Sequence, residues 1–207
     1  MPITYPLALP TTKAPANIVW GGESVVAVAQ SPFTGEVEVQ QHDGQFWHGT
    51  LNYPPMARAD AEEMISFLQK LDGQYGTFTM TPPAAATPRG TASGTPLVAG
   101  GSQTGVDLDT DGWDPGETVL REGDFIQLGS GLTSRLYKCL DDATSDGSGA
   151  ATLTLWPRLR SSTSPDDNAT IVTSSPAGLF RLTANRTEWT VMRVEKYGLS
   201  FSFRSEP

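Results

Sequence analysis

A mainly β architecture carrying one α-helix is expected from three observations. The chain holds 21 glycines and 16 prolines in 207 residues, an excess that implies many turns between short elements. Most apolar stretches are short and either continuous or alternating with a period of two, as strands require. Only one stretch, residues 57–71, repeats its apolar residues at steps of three and four. The expected arrangement is a β-sandwich or split-barrel body with one α-helix, interrupted by a small inserted β-barrel-like module.

Each element follows from its residues. Pro2 through Pro15 is a proline-rich arm with too little periodicity for a helix or an internal strand, so it is expected either to pack on a neighbouring subunit or to be disordered. Ile18-Val19-Trp20 and Ser24 to Ala29 read as two strands with Gly21-Gly22 as the turn between them. Gly35 to Gln40 and Phe46 to Tyr53 read as a second pair, joined through Asp43-Gly44, a dipeptide that favours hairpin turns. Trp47, Leu51 and Tyr53 then share a face, with Gly49 between them. In the helix, Ala57, Ala61, Met64, Ile65, Leu68 and Leu71 form the apolar stripe. Acids in the first turns, Lys70 in the last and Gly73 beyond it suit the helix dipole and a left-handed stop. Tyr75 to Met80 reads as a strand, and Pro82 to Pro88 ends the pattern.

Residues 89–160 change in texture, with 12 of the 21 glycines. Asp124 to Leu128, Arg135 to Leu140 and Ala151 to Trp156 are their strongest strands, separated by glycine-rich turns, as in a little barrel or half-barrel. Ser161 to Ser175 returns the chain, and Leu179 to Leu182, Glu188 to Val194 and Leu199 to Phe203 resume the β pattern, with Tyr197-Gly198 as a hairpin turn. Residues 1–88 and 161–207 are therefore expected to form one discontinuous β body, interrupted by an 89–160 module. Insertions of this kind are tolerated because chain ends lying close together cost little closure entropy.

Charge and motifs exclude several functions. Fourteen Lys and Arg against 23 Asp and Glu give a net charge of −9, which opposes binding to nucleic acid or anionic lipid. No run is long and apolar enough to span a bilayer, and the N-terminal stretch lacks the basic-then-apolar order of a secretory leader, so a cytoplasmic origin is expected. Cys139, the lone cysteine, reads as a buried strand thiol. Trp20, Trp47 and Trp189 read as core residues. His42 and His48 lack metal-ligand spacing, and Gly100 to Gly105 lacks the Lys-Ser/Thr of a phosphate loop. Asp107-Leu108-Asp109-Thr110-Asp111-Gly112 resembles the first half of a calcium loop, but the twelfth position is Thr118 rather than glutamate, so a solvated acidic loop is the expectation. Trp113, Tyr137 and Trp156 raise a carbohydrate-binding alternative, with a polysaccharide-cleaving enzyme behind it. No catalytic, cofactor or metal residue is assigned, and no enzyme activity is expected.

The body also carries Ser31-Pro32-Phe33-Thr34-Gly35, Trp47 in a strand, Pro54-Pro55-Met56-Ala57-Arg58, Ala61-Glu62, Phe67-Leu68 and Gly73-Gln74-Tyr75-Gly76-Thr77-Phe78. With Thr87-Pro88-Arg89-Gly90, Gly123-Asp124-Phe125-Ile126-Gln127 and Leu155-Trp156-Pro157-Arg158-Leu159-Arg160, this series resembles the distal tail or tail-tip proteins of long-tailed bacteriophages and prophages. The resemblance implies a structural protein of the virion tail, assembled in the host cytoplasm. It would form a homo-oligomeric ring, a hexamer in preference to a trimer, between the tail tube protein, the tail hub protein and the tape-measure protein. The inserted module would project outward, as glycan-binding modules do in some relatives. Acidic walls would let DNA pass without sticking: residues 1–88 hold three bases against eight acids, and residues 89–160 six against ten.

Overall fold

The structure is a computed structural model that describes residues 3–193 and 195–206. The expected fold is present: the protein is mainly β, with one α-helix among the described residues. The body contributes β1 (Leu7–Ala8), β2 (Asn17–Gln30), β3 (Val37–Met56), α1 (Arg58–Lys70) and β4 (Thr77–Met80). The module follows with β5 (Gly94–Val98), β6 (Gly105–Trp113), β7 (Thr118–Leu120), β8 (Phe125–Leu128), β9 (Arg135–Cys139), β10 (Ala143–Thr144), β11 (Ala151–Leu159) and β12 (Ile171–Val172). The chain returns to the body as β13 (Gly178–Leu182), β14 (Trp189–Val191) and β15 (Tyr197–Ser205).

The body sheet runs β1-β4-β13-β15-β3-β2, with β14 added beside β15 beyond the end of β13. Its apolar face takes every second residue of β3, so Trp47, Leu51 and Tyr53 do share a buried face. Gly49 lies among them because a Cβ there would meet the Val19 carbonyl at 2.2 Å and the Phe203 ring at 2.7 Å. Helix α1 lays Ala61, Met64, Ile65, Phe67 and Leu68 on this face and, with Phe78, Phe180 and Phe203, completes the core. Its stop is as expected: Asp72 and Gly73 both adopt positive φ, and the N–H of Gly76 returns to the Leu71 carbonyl at 2.7 Å.

The module sheet runs β12-β8-β9-β11-β6-β5. A bridge between Leu97 and Thr170 brings its two outer strands together, and β7 and β10 form a separate ribbon, so the sheet closes almost into a barrel. Val98, Leu108, Val119, Leu120, Ile126, Leu153 and Leu155 fill it. Residues 161–175 do more than carry the chain back, since β12 lies within them and pairs with β8.

Three expected turns are strand instead. Gly21-Gly22 lies inside β2, Asp43-Gly44 inside β3 and Tyr197-Gly198 inside β15. The ladder of β2 and β3 continues from Asn17 opposite Asn52 to Gln30 opposite Val37, with one bulge between Glu23 and Val25. Close approach, not chain reversal, calls for Gly22 and Gly44: the Trp156 ring lies 2.2 Å from where a Cβ of Gly22 would sit, and the Val25 side chain 2.7 Å from that of Gly44, whereas a Cβ at Gly198 would meet nothing nearer than 3.8 Å. The hairpin turns at Ser31 to Glu36 instead, where Gly35 has φ +73° and its N–H reaches the Ser31 carbonyl. The turn before β15 falls at Met192 to Lys196, closed by a Met192 N–H bond to the Lys196 carbonyl of 2.7 Å.

The proline-rich arm packs on its own body. Pro2 itself lies outside the described residues. Leu7 and Ala8 pair in parallel with Phe78 and Thr79, Tyr5 donates its hydroxyl to the Lys70 carbonyl at 2.7 Å, and Leu7 and Leu9 join the body core. Two paired residues suffice here because the β4 edge and the end of α1 offer carbonyls and apolar surface that would otherwise stay open.

Candidate assembly surfaces

The β2–β3 hairpin projects from the body. From Glu23 to Asp43 every residue but Ser31 is exposed, so the distal ribbon has solvent on both faces. Directly opposite residues in an antiparallel pair share a face. Val28 faces Val39, Val26 faces Gln41 and Gln30 faces Val37, which puts Val26, Val28, Val37 and Val39 on one side. Ala27, Ala29, Glu38 and Gln40 take the other. All four valines are exposed, Val28 at 65% and Val39 at 61%, and Phe33 at the tip stands at 95%. Alternating strands normally turn their apolar face to a core, and this ribbon has none of its own.

A second exposed apolar group lies at the β14–β15 corner, formed by Trp189, Val191 and Met192. Trp189 was expected in the core and is 39% exposed instead, because β14 pairs only with β15 and no layer of the described structure covers it. Trp20 and Trp47 do pack in the core. The outer edge of β2 has no partner strand among the described residues.

Body and module meet in a shared apolar seam. Trp47 lies 4.3 Å from Trp156 and 5.6 Å from Phe125 between ring centroids, and its Nε1 donates to the Leu136 carbonyl at 3.0 Å. Gln45 accepts from the Arg158 N–H at 2.8 Å through Oε1, and its own carbonyl accepts from Arg160 at 2.7 Å. Ser134 donates to the Ala177 carbonyl at 2.6 Å. A gap of about 20 Å³, room for a single water, remains between Trp47, Arg135, Tyr137, Arg158 and Arg160. Burial, with Arg160 alongside, holds the Arg135 guanidinium below its usual range, against the opposing pull of Tyr137 and Glu206, and its buried Nε has no partner among the described residues.

Asp124 pins the entry to the module. Its carboxylate, 4% exposed, accepts the backbone N–H groups of Arg89 at 2.8 Å, Gly90 at 3.0 Å and Arg121 at 2.8 Å. Sequence reasoning quoted Arg89-Gly90 and Gly123-Asp124 as separate motifs and missed that one residue joins them.

The other candidates are dispersed. Asp107, Asp109 and Asp111 lie on β6, not in a loop: Leu108 and Thr110 point into the barrel while the acids face outward, and Thr152 donates its hydroxyl to Asp109 at 2.7 Å. A D-x-D-x-D pattern has the period of a half-buried strand as well as that of a calcium loop, and here the strand wins. Gly100 to Gly105 is held by the Gln103 side chain, whose two amide hydrogens are shared among the carbonyls of Ala99, Gly100 and Asp109 and whose Oε1 accepts the Asp109 N–H at 2.7 Å. Trp113 and Tyr137 are buried and Trp156 covers Gly22, so the three rings form no open stacking platform. His42 lies on the hairpin and His48 against Gly21, in separate surroundings. Among the described residues no group of three or more His, Cys, Asp and Glu gathers as a metal set, and no helix is long and apolar enough to cross a membrane.

Cys139 is buried, and burial, with Asp124 nearby, pushes its thiol up to about 12. Burial likewise pushes the Tyr53 phenol up to about 12. Between about pH 9 and 12 the unfolded chain releases these two protons while the folded chain retains them. Their contribution to stability is thus complete below pH 9 and is lost as the pH climbs to 12. The urea midpoint should fall between pH 8.5 and 11, and Cys139→Ala should flatten the first part of that fall. Equal midpoints at the two pH values would contradict it.

Compared with known proteins, the chain matches no family model, and no curated protein matches it.

Proposed function

We propose that this protein is a structural subunit of a bacteriophage tail tip that closes into a ring around the tail axis and adapts the tail tube to the hub. The observation that carries the reading is the β2–β3 hairpin, whose valine face and Phe33 tip are exposed far from the protein's own core. An isolated two-stranded ribbon is marginal in water, so a ribbon of this length with one apolar face is built for a partner. The motif resemblance, the single-helix β body and the inserted barrel support the same reading. The partners are further copies of the chain, six in preference to three, together with the tube, hub and tape-measure proteins, and the place of action is the virion tail. The acidic surface suits a channel that DNA traverses. Electron micrographs of the purified protein, alone and mixed with its tail partners, should show closed rings. Particles of monomer size under both conditions would refute the proposal.

A further inference from the structure

We infer that the valine face of the hairpin docks on the Trp189–Val191–Met192 corner of a second copy, so that subunits join head to tail. The inference rests on the ring reading and names its interface. The hairpin carries four exposed valines and Phe33, and the corner groups three exposed apolar residues, Trp189, Val191 and Met192, within four positions of one another. Through the pairing register they lie at opposite ends of one sheet. Val39 sits 14 residues before Tyr53, which pairs with Leu199 beside Trp189. At roughly 3.3 Å per residue that is about 45 Å along the strand, so one molecule cannot close the contact on itself. A surface at one end that meets a different surface at the other is a heterologous contact, and it forms a ring when the rotation between copies divides a full turn.

Charge selects this occupant. Residues 14–57 contain Glu23, Glu36, Glu38 and Asp43 and neither Lys nor Arg. Two hairpins laid face to face would bring like charges together. The corner instead presents Arg193 and Lys196, neither of which has a carboxylate within 4.0 Å among the described residues, although Glu195 lies in the same turn. Glu38 lies on the opposite face, so it is Glu36 in the tip turn that meets that basic turn while the valines cover Trp189 and Val191.

The test uses the full chain. Val28→Asp with Val39→Asp, and separately Val191→Asp, alter exposed positions and should leave the circular-dichroism spectrum and melting midpoint unchanged. Each should weaken self-association by at least about tenfold in sedimentation velocity across a concentration series. Differently tagged Val39→Cys and Val191→Cys chains, mixed and oxidised, should link to each other. The native Cys139 is buried and leaves the background low. Links between identical Val39→Cys chains would mean that hairpins pair with hairpins, and full assembly of the aspartate variants would place the contact elsewhere; either result overturns the inference while rings remain visible. Wild-type protein that stays monomeric at all concentrations also overturns it, and the ring reading falls with it only if tail partners fail to produce rings.

Discussion

Trp47→Ala should lower stability by about 3–5 kcal/mol, the range for truncating a buried aromatic ring, with a further loss for the carbonyl it orphans. Trp47 is 5% exposed and stands where the two apolar clusters approach, packed by Trp20 and Phe125 at 5.7 and 5.6 Å and by Trp156 at 4.3 Å. Alanine would leave a cavity bordered by both units and would strand the Leu136 carbonyl that Nε1 now satisfies. Against a total of about 5–15 kcal/mol for a domain, that loss is large. Body and module should melt together in the wild type and in two steps in the variant, because the ring is the largest apolar contact between them and the seam hydrogen bonds of Gln45 and Ser134 are left to couple them alone. Trp47→Phe retains most of the packing and loses the hydrogen bond, so its cost should be roughly 1–2 kcal/mol. Calorimetry and urea denaturation give both numbers. A loss below about 1 kcal/mol for the alanine variant would mean that body and module do not share a core.

Asp124→Ala is the second large effect. The carboxylate holds three backbone donors at once, two from the segment that enters the module and one from the Arg121 turn. Hydrogen bonds to a charged acceptor each contribute about 1.5–3 kcal/mol, and donors left buried cost about 1–3 kcal/mol apiece. Water can reach part of the site once the side chain is gone, so the net cost should be about 3 kcal/mol. Asp124→Asn keeps one acceptor oxygen and gives up the charge, and about half that cost is expected. Because the released backbone includes Arg89 and Arg121, trypsin should nick the alanine variant at these two sites well before global unfolding. Unchanged trypsin resistance, with a stability loss under about 1 kcal/mol, would show that the carboxylate does not hold the entry.

Local signals were legible where one physical cause produces one pattern. The three-and-four spacing of residues 57–71 has no other structured reading, and the helix lies at Arg58–Lys70. The alternation around Trp47, Leu51 and Tyr53, the core module strands and the buried thiol of Cys139 were read for the same reason. Signals with two causes misled. A glycine in an extended run marks either a turn or a close approach, and at Gly22 and Gly44 the approach of Trp156 and Val25 decided it. Alternate acids mark either a metal loop or the wet side of a strand, and the pairing of β6 with β11 decided that. Trp189 reads like Trp47 along the chain, yet one is open and the other enclosed.

The chain alone therefore determined that the protein is mainly β with a helix, which residues form the helix stripe and the Trp47 face, and that the net charge is negative. Periodicity and charge are properties of short segments and survive without a fold. Only the tertiary structure decided which of those faces are covered: the Trp47 seam by the module, the Leu7 arm by the body, and the valine face of the hairpin by nothing among the described residues. Covering a face takes residues far apart in sequence, such as Trp47 with Trp156 or Asp124 with Arg89, and no local pattern encodes which distant segment will arrive.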